Sequence, residues 1–231
     1  MPGHDAGQAV SDRRGRPAWL ANFRDEPDRE AALARYARLA PRYEDTTNRI
    51  RDVRKRAIDL LALQPGETVF DVGCGAGAIL RPLSWRVGPR ERVLGVEQSP
   101  EMAARATEAA SGCDNTRVLC EPVETFRSPT LGDAAILCYT HDVLQSPQAL
   151  ANLLTQLCPG ATVSVAGLCL LPPWGTPVNA WVLWGARHYF TTWRGVRAPW
   201  VPLLDWCPNL RIAERYHGGT GYLAVGTVRS R

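Results

Sequence analysis

Two carboxylates bracket a run of alternating glycines, and that spacing is where chemistry enters this chain. The stretch is Val69-Phe70-Asp71-Val72-Gly73-Cys74-Gly75-Ala76-Gly77. Glycine has no Cβ, so this backbone can take positive φ and lie close against a ligand. Val69 to Val72 read as a short buried strand, and Ala78, Ile79 and Leu80 open a helix whose free N–H groups face back into the turn. Strand, glycine turn and helix start together suit a nucleotide-type ligand. Val93-Leu94-Gly95-Val96-Glu97 reads as the next strand, with an acid at its carboxyl end. Glu97 follows the glycines by about 20 residues, the distance at which a carboxylate in a strand–helix–strand unit reaches ribose hydroxyls. A second reactive cluster, Tyr139-Thr140-His141-Asp142, follows the apolar strand Asp133–Cys138. Ligands of open α/β sheets bind outside the carboxyl ends of the strands, so this cluster faces the same site.

The elements that position these residues are legible from periodicity. Ala32, Leu33, Tyr36 and Leu39 give an amphipathic helix that starts near Asp28 and ends at Pro41. Ile50, Val53, Ala57, Leu60 and Leu61 give a second, with Thr46 or Thr47 as its cap. Ser99 caps a helix that has Pro100 at its first position. Arg117–Cys120 reads as a third strand and Ala161–Ala166 as a fifth, after a helix carrying Ala149, Leu150, Leu153, Leu154 and Leu157 and a Pro159-Gly160 turn. Gly218-Gly219-Thr220-Gly221 joins two final strand-like runs into a hairpin.

The pattern Asp71-x-Gly73-x-Gly75-x-Gly77 with Glu97 beyond it resembles motif I of the class I S-adenosylmethionine (SAM)-dependent methyltransferases. The resemblance covers roughly residues 36–168. It is closest to the small-molecule branch that includes the ubiquinone and menaquinone C-methyltransferases. It implies an α/β, Rossmann-like, seven-stranded and mostly parallel sheet with an antiparallel C-terminal hairpin, helices on both faces and a helical aromatic lid. SAM is the implied cofactor. Carried over, Asp71, Gly73, Cys74, Gly75 and Gly77 form the cofactor loop, and Glu97 holds the ribose. Gln98 and Met102 line the adenine pocket, and the backbone at Cys138 meets the SAM amino group. Tyr36 to Tyr43 resemble the family's entry helix, which places Tyr43 over the methionine moiety; an aromatic that packs this helix on the core is the other reading. Where the family carries Gly-Asp-Ala, this chain has Cys120-Glu121-Pro122, so Glu121 and Pro122 stand at the adenine amino group with altered geometry.

A sulfonium methyl is already activated, so its transfer needs mainly in-line positioning, which can supply roughly 7–11 kcal/mol. A base is needed only where the nucleophile must lose a proton. His141 is the candidate base, with an ordinary pKa of about 6.5; pocket lining and helix capping are its other readings. Tyr139 is a second catalytic candidate, and His188 a further one. Residues 172–210 hold six of the eight tryptophans, and Arg187, Arg194 and Arg197 stand among them. This segment reads as a substrate lid, with Trp181, Trp184, Arg187, His188 and His141 as substrate-binding candidates. Three readings of it stay open: a flat or hydrophobic acceptor bearing an anion, a lid packed by its own tryptophans, or contact with a membrane surface.

The expected division is a disordered tail (1–18), N-terminal helices covering the cofactor site (19–64), a SAM-binding core (65–171), the lid (172–210) and the hairpin (211–231). The net charge is +4, and Lys55 is the sole lysine. The basic residues are scattered, with no basic target domain and no Asn-Pro-Pro-Tyr-type stretch, which disfavours nucleic-acid methylation. Seven cysteines without a C-x-x-C pair indicate neither a zinc site nor a disulfide framework, and no metal is expected. No signal peptide or membrane-spanning stretch is read, so a cytoplasmic location is expected. The expected activity is SAM-dependent methylation of an O, N or C atom of a small aromatic or hydrophobic metabolite, as in secondary metabolism. A SAM-fold enzyme of non-methyl chemistry, such as cyclisation or decarboxylation, and a non-catalytic partner protein are the alternatives. The expected partner is the small-molecule substrate, and association as a homodimer is left open.

Overall fold

The computed structural model describes residues 26–43, 48–89 and 92–229. The expected disordered tail, His4, Arg13, Arg14, Arg16 and the candidate caps Thr46 and Thr47 lie outside the described residues. Seven strands form one sheet in the order β3-β2-β1-β4-β5-β7-β6. They are β1 (Val69–Val72), β2 (Val93–Val96), β3 (Thr116–Leu119), β4 (Gly132–Cys138), β5 (Leu157–Leu168), β6 (Arg211–Tyr216) and β7 (Gly221–Thr227). The first five pair in parallel. The C-terminal hairpin adds β7 antiparallel to both β5 and β6. This is the seven-stranded, mostly parallel α/β sheet that the motifs imply.

The helices described are α1 (Arg29–Leu39), α2 (Arg51–Leu61), α3 (Leu80–Val87), α4 (Pro100–Ala109), α5 (His141–Leu144), α6 (Pro147–Thr155) and α7 (Thr176–Ala186). Alternate strand residues feed two cores, one on each face of the sheet. Val69, Val93, Ala134 and Ile136 pack against Val53, Ala57, Ile58 and Leu61 of α2 and Leu80, Leu83 and Val87 of α3. Phe70, Leu94, Ala135, Leu137, Val163 and Val165 pack against Leu144, Leu150, Leu153 and Leu154 on the other side. Parallel strands covered on both faces read as continuous apolar runs, which is why β1 and β4 stood out in the sequence.

Local chemistry sets the helix starts. The Asp28 side chain accepts from the Ala31 amide and begins α1. Ser99 accepts from the Met102 amide with Pro100 in the first turn of α4, and Ser146 accepts from the Ala149 amide to start α6. Three boundaries differ from expectation. α3 begins at Leu80 because Gly77 (φ +80°) first closes a turn onto Cys74. β3 ends at Leu119, before Cys120. β5 starts at Leu157, which therefore belongs to the strand and not to α6, and runs through Pro159-Gly160. Leu157 pairs with Gly132 across an irregularity in β4, and Gly160 (φ +83°) bends the strand while its amide bonds Val228.

Candidate active site

A cleft of about 320 Å³ opens at the carboxyl ends of β1, β2 and β4. That is at the lower end of the range for small-molecule sites. Its floor is the glycine turn. The amides of Gly73 and Cys74 both bond the Val96 carbonyl, which ties the turn to the end of β2. Gly73, Gly75 and Gly77 all have positive φ. A Cβ on Gly73 would sit 2.5 Å from Thr140 Cγ2, and one on Gly77 would sit 2.8 Å from the Ala106 Cα. The alternation of glycines therefore serves two purposes: Gly73 and Gly75 line the cleft, whereas Gly77 lets α4 approach.

Glu97 closes the loop. Its Oε2 accepts from the Gly75 amide at 3.0 Å and its Oε1 from the Ser99 amide at 2.8 Å. Burial raises its pKa, and these backbone bonds oppose the rise. A carboxylate offers about four acceptor sites, and with the Gln98 backbone also bonding it, about one remains for a hydroxyl donor in the cleft. Asp71 is buried beneath the turn with Oδ2 unpartnered. Burial pushes its pKa up to about 7, with Arg54 pulling it down and Glu97 pushing it further up. An orphaned buried acceptor below a glycine cradle, beside a carboxylate with a spare acceptor site, fits a ligand carrying both a cationic donor and a ribose. Tyr43 lies over the turn, its ring 3.3 Å from where a Gly75 Cβ would stand. Burial drives its pKa to about 12, so the phenol stays protonated.

The cofactor candidates divide by position. Tyr43, Gly73, Gly75, Glu97, Gln98 and Cys138 line the cleft. Asp71, Cys74, Gly77 and Met102 do not line it and pack around it instead; Met102 is fully buried and Cys74 Sγ crowds Gly95. Glu121 is exposed and Pro122 is outside the cleft. The reason is the early end of β3, after which the chain turns so that Val123 and Glu124 face the cleft in their place. Glu124 accepts from the Ser146 hydroxyl at 3.0 Å.

Tyr139 and His141 both line the cleft, in different states from those a base requires. Tyr139 adopts φ +60°, uncommon for a residue with a side chain. Its amide bonds Ala166, and its hydroxyl is 3.0 Å from that of Tyr216, which donates to the Gly167 carbonyl. The phenol thus anchors the loop to the hairpin. His141 is 4% exposed and stacks on Phe190, centroids 4.5 Å apart. Both ring nitrogens are sealed from solvent, and neither makes a well-aligned hydrogen bond. Burial lowers its pKa to about 4, which the nearby Arg194 backbone only partly offsets. Such an imidazole is neutral at pH 7 and takes up a proton poorly.

The lid enters the cleft through residues other than those expected. Trp181 and Trp184 are 70% and 65% exposed, His188 is exposed, and the Arg187 guanidinium lies 4.2 Å over the Trp184 ring. None of the four lines the cleft; Tyr189 and Arg194 do. Helical period explains the difference: Val182 and Ala186 are the buried side of α7, which turns Trp181 and Trp184 outward. The segment after α7 is stitched to α1 and α5. Arg35 donates to the Arg187 and Phe190 carbonyls, and the Tyr36 hydroxyl donates to the Tyr189 carbonyl. Asp142 accepts from the Thr191 amide and from its hydroxyl at 2.5 Å, and Thr191 Oγ1 accepts from the Asp28 amide at 2.9 Å. Sequence reasoning missed Asp28, Arg29 and Gln145 as cleft residues. The N-cap signal at Asp28 was the one available clue. Among the described residues, no group of three or more His, Cys, Asp or Glu could hold a metal ion.

Residues 69–160 match the family of methyltransferase domains. The chain is 43% identical over 77 residues to nocamycin O-methyltransferase of Saccharothrix syringae, covering 32% of this chain and 28% of that one. It is 27% identical over 176 residues to 2-phytyl-1,4-naphtoquinone methyltransferase of Thermosynechococcus vestitus, covering 68% and 75%. It spans 28% and 34% of the lengths of the first two curated relatives it matches. Among solved structures, the N-methyltransferase NodS of Bradyrhizobium japonicum with S-adenosyl-L-homocysteine superposes with a TM-score of 0.61 at 16% identity, covering 87% of this chain and all of that one. That likeness establishes the fold alone. Residues 69–160 match a methyltransferase domain, and the chain has the fold and the cofactor-loop pattern of the class I SAM-dependent methyltransferases.

Proposed function

We propose that this chain transfers the methyl group of SAM to an O, N or C atom of a small aromatic or hydrophobic metabolite. The observation that carries the reading is Glu97, held at the end of β2 by the Gly75 and Ser99 amides and lining the cleft with an acceptor site to spare. SAM supplies an activated sulfonium methyl. Glu97 takes the ribose hydroxyls, the Cys138–Thr140 backbone takes the amino-acid end above buried Asp71, and Tyr43 covers the turn. Gln98, Val123 and Glu124 surround the base. Residues 26–43 and 48–64 and the lid then close over this core from both sides, with Tyr36, Tyr189 and His141 as the wall beside the acceptor. His141 acts as a neutral pocket wall, and positioning carries the reaction. An acceptor whose atom is ionised or intrinsically nucleophilic suits such a site. The nocamycin and phytyl-naphthoquinone relatives support an acceptor that is small and largely apolar.

Calorimetric titration with S-adenosylhomocysteine, run beside incubation with methyl-labelled SAM and metabolite extracts read by mass spectrometry, tests this. Cofactor binding with a labelled product is expected. Absence of binding would overturn the cofactor assignment. Turnover that persists with S-adenosylhomocysteine replacing SAM would move the reading to non-methyl chemistry.

A further inference from the structure

On the outer side of the lid, Trp174, Val178, Trp181 and Trp184 recur at three- and four-residue steps along α7 and the turn before it. That spacing places them on one face of a helix. All four are exposed, Trp174 by 76%. Three tryptophans at this exposure present roughly 300–500 Å² of apolar surface, taking about 150–250 Å² per ring. That is the size of the largest apolar patch on a typical soluble domain, and such patches are often functional. The segment that carries the face has charges of one sign, of which Arg187 is at the face and Arg194 lines the cleft. Between Asp142 and Asp205 the chain holds no Asp or Glu, while Arg187, Arg194 and Arg197 lie within it. Arg187 keeps its guanidinium against the Trp184 ring, at the edge of the apolar strip.

We propose that this tryptophan face docks the protein on an anionic lipid surface. Two observations select a lipid over a second copy of the chain. The patch is well below the roughly 800 Å² per partner of a standard interface. A second copy would also bring like charge against like charge, whereas an anionic leaflet complements the arginines. Tryptophan suits the bilayer interface because its ring is apolar and its indole N–H can remain wet. Docking is peripheral: no helix among the described residues is long and apolar enough to cross a membrane. Tyr189, which lines the cleft, lies just beyond the end of α7, so the docked face brings the cleft mouth to the lipid surface. This inference rests on the surface of α7 and not on the proposed transfer reaction.

The test is flotation of the full chain with phosphatidylglycerol–phosphatidylcholine vesicles, with phosphatidylcholine alone as the uncharged comparison. Partitioning to the anionic vesicles is expected, weakening with salt. The triple variant Trp174→Ser/Trp181→Ser/Trp184→Ser is expected to lower it at least ten-fold, and Arg187→Glu several-fold. Trp85→Ser, which removes a tryptophan 73% exposed on α3, is expected to leave it unchanged. Partitioning that the triple variant retains, or that Trp85→Ser abolishes equally, would overturn the proposal. So would no vesicle binding together with a concentration-dependent dimer in sedimentation that the triple variant dissolves, which would give the face to a second copy.

Discussion

Replacing Glu97 by Gln separates what the carboxylate does for the fold from what it does for the ligand. In the native chain each carboxylate oxygen accepts one buried amide, Gly75 on one side and Ser99 on the other. Glutamine offers a single acceptor oxygen, and its NH₂ group meets the second amide donor to donor. One buried N–H is orphaned, which costs about 1–3 kcal/mol. The surviving bond also loses its charge assistance, about 1 kcal/mol more. Relief of the buried charge offsets part of this, since burial already raises the Glu97 pKa. The net expectation is a loss of about 1–3 kcal/mol in stability, read as a lower urea midpoint with an unchanged slope. Affinity for S-adenosylhomocysteine is expected to fall at least ten-fold, about 1.4 kcal/mol, because an acceptor for ribose hydroxyls becomes a donor. A Gln variant as stable as wild type would refute the clamp. A destabilised variant that binds the nucleotide with unchanged affinity would refute the ribose role while leaving the clamp intact.

Asp71 and His141 are expected to give opposing pH dependences. Asp71 is raised from 3.8 to about 7, so its contribution to stability is present below pH 4 and is lost as pH rises through 7. His141 is lowered from 6.5 to about 4, so its contribution is present above pH 6.5 and is lost as pH falls through 4. Between pH 4 and 7, Asp71→Asn should therefore steepen the rise of stability with pH and His141→Phe should make it decline; equal slopes in both variants would exclude these assignments. Gly77→Ala is expected to cost more than 2 kcal/mol, because its Cβ meets the Ala106 backbone, which cannot swing away, on top of the strain of φ +80°. Gly112→Ala has a similar φ of +78° and open space, and should cost only about 1–2 kcal/mol, so comparable thermal midpoints for the two would argue against crowding. Thr191→Val removes one donor to buried Asp142 and one acceptor of the Asp28 amide, and should cost about 1–3 kcal/mol with faster amide exchange at 187–191.

The glycine turn and the carboxylate at the end of β2 were legible because strand ends and glycine turns are local. Asp71, the glycines and Glu97 carry their geometry in sequence spacing, as Ser99 with Pro100 carries a helix start. What failed was direction. Glu121 was one position past a strand that ends early, and a slip of that size changes which side chains face the cleft. The lid tryptophans were readable as a helix face, but periodicity does not say whether that face turns inward, and large aromatics are usually buried. Asp28, Tyr36, Tyr189 and Thr191 come together from segments some 150 residues apart, a meeting no local pattern encodes.

The stitching of α1 to the lid bears on the timing of turnover. Four hydrogen bonds join the two, from Asp28, from Arg35 twice and from Tyr36. At about 0.5–1.5 kcal/mol each they hold the two flaps together by roughly 2–6 kcal/mol. If they part as a unit, the open fraction is on the order of one in thirty to one in twenty thousand. If the proposed nucleotide and product both leave between these two segments, a spent nucleotide waits for the same opening as the methylated product. Stopped-flow release from Arg35→Ala should then be faster than from wild type for nucleotide and product alike; acceleration of only one would mean two separate exits.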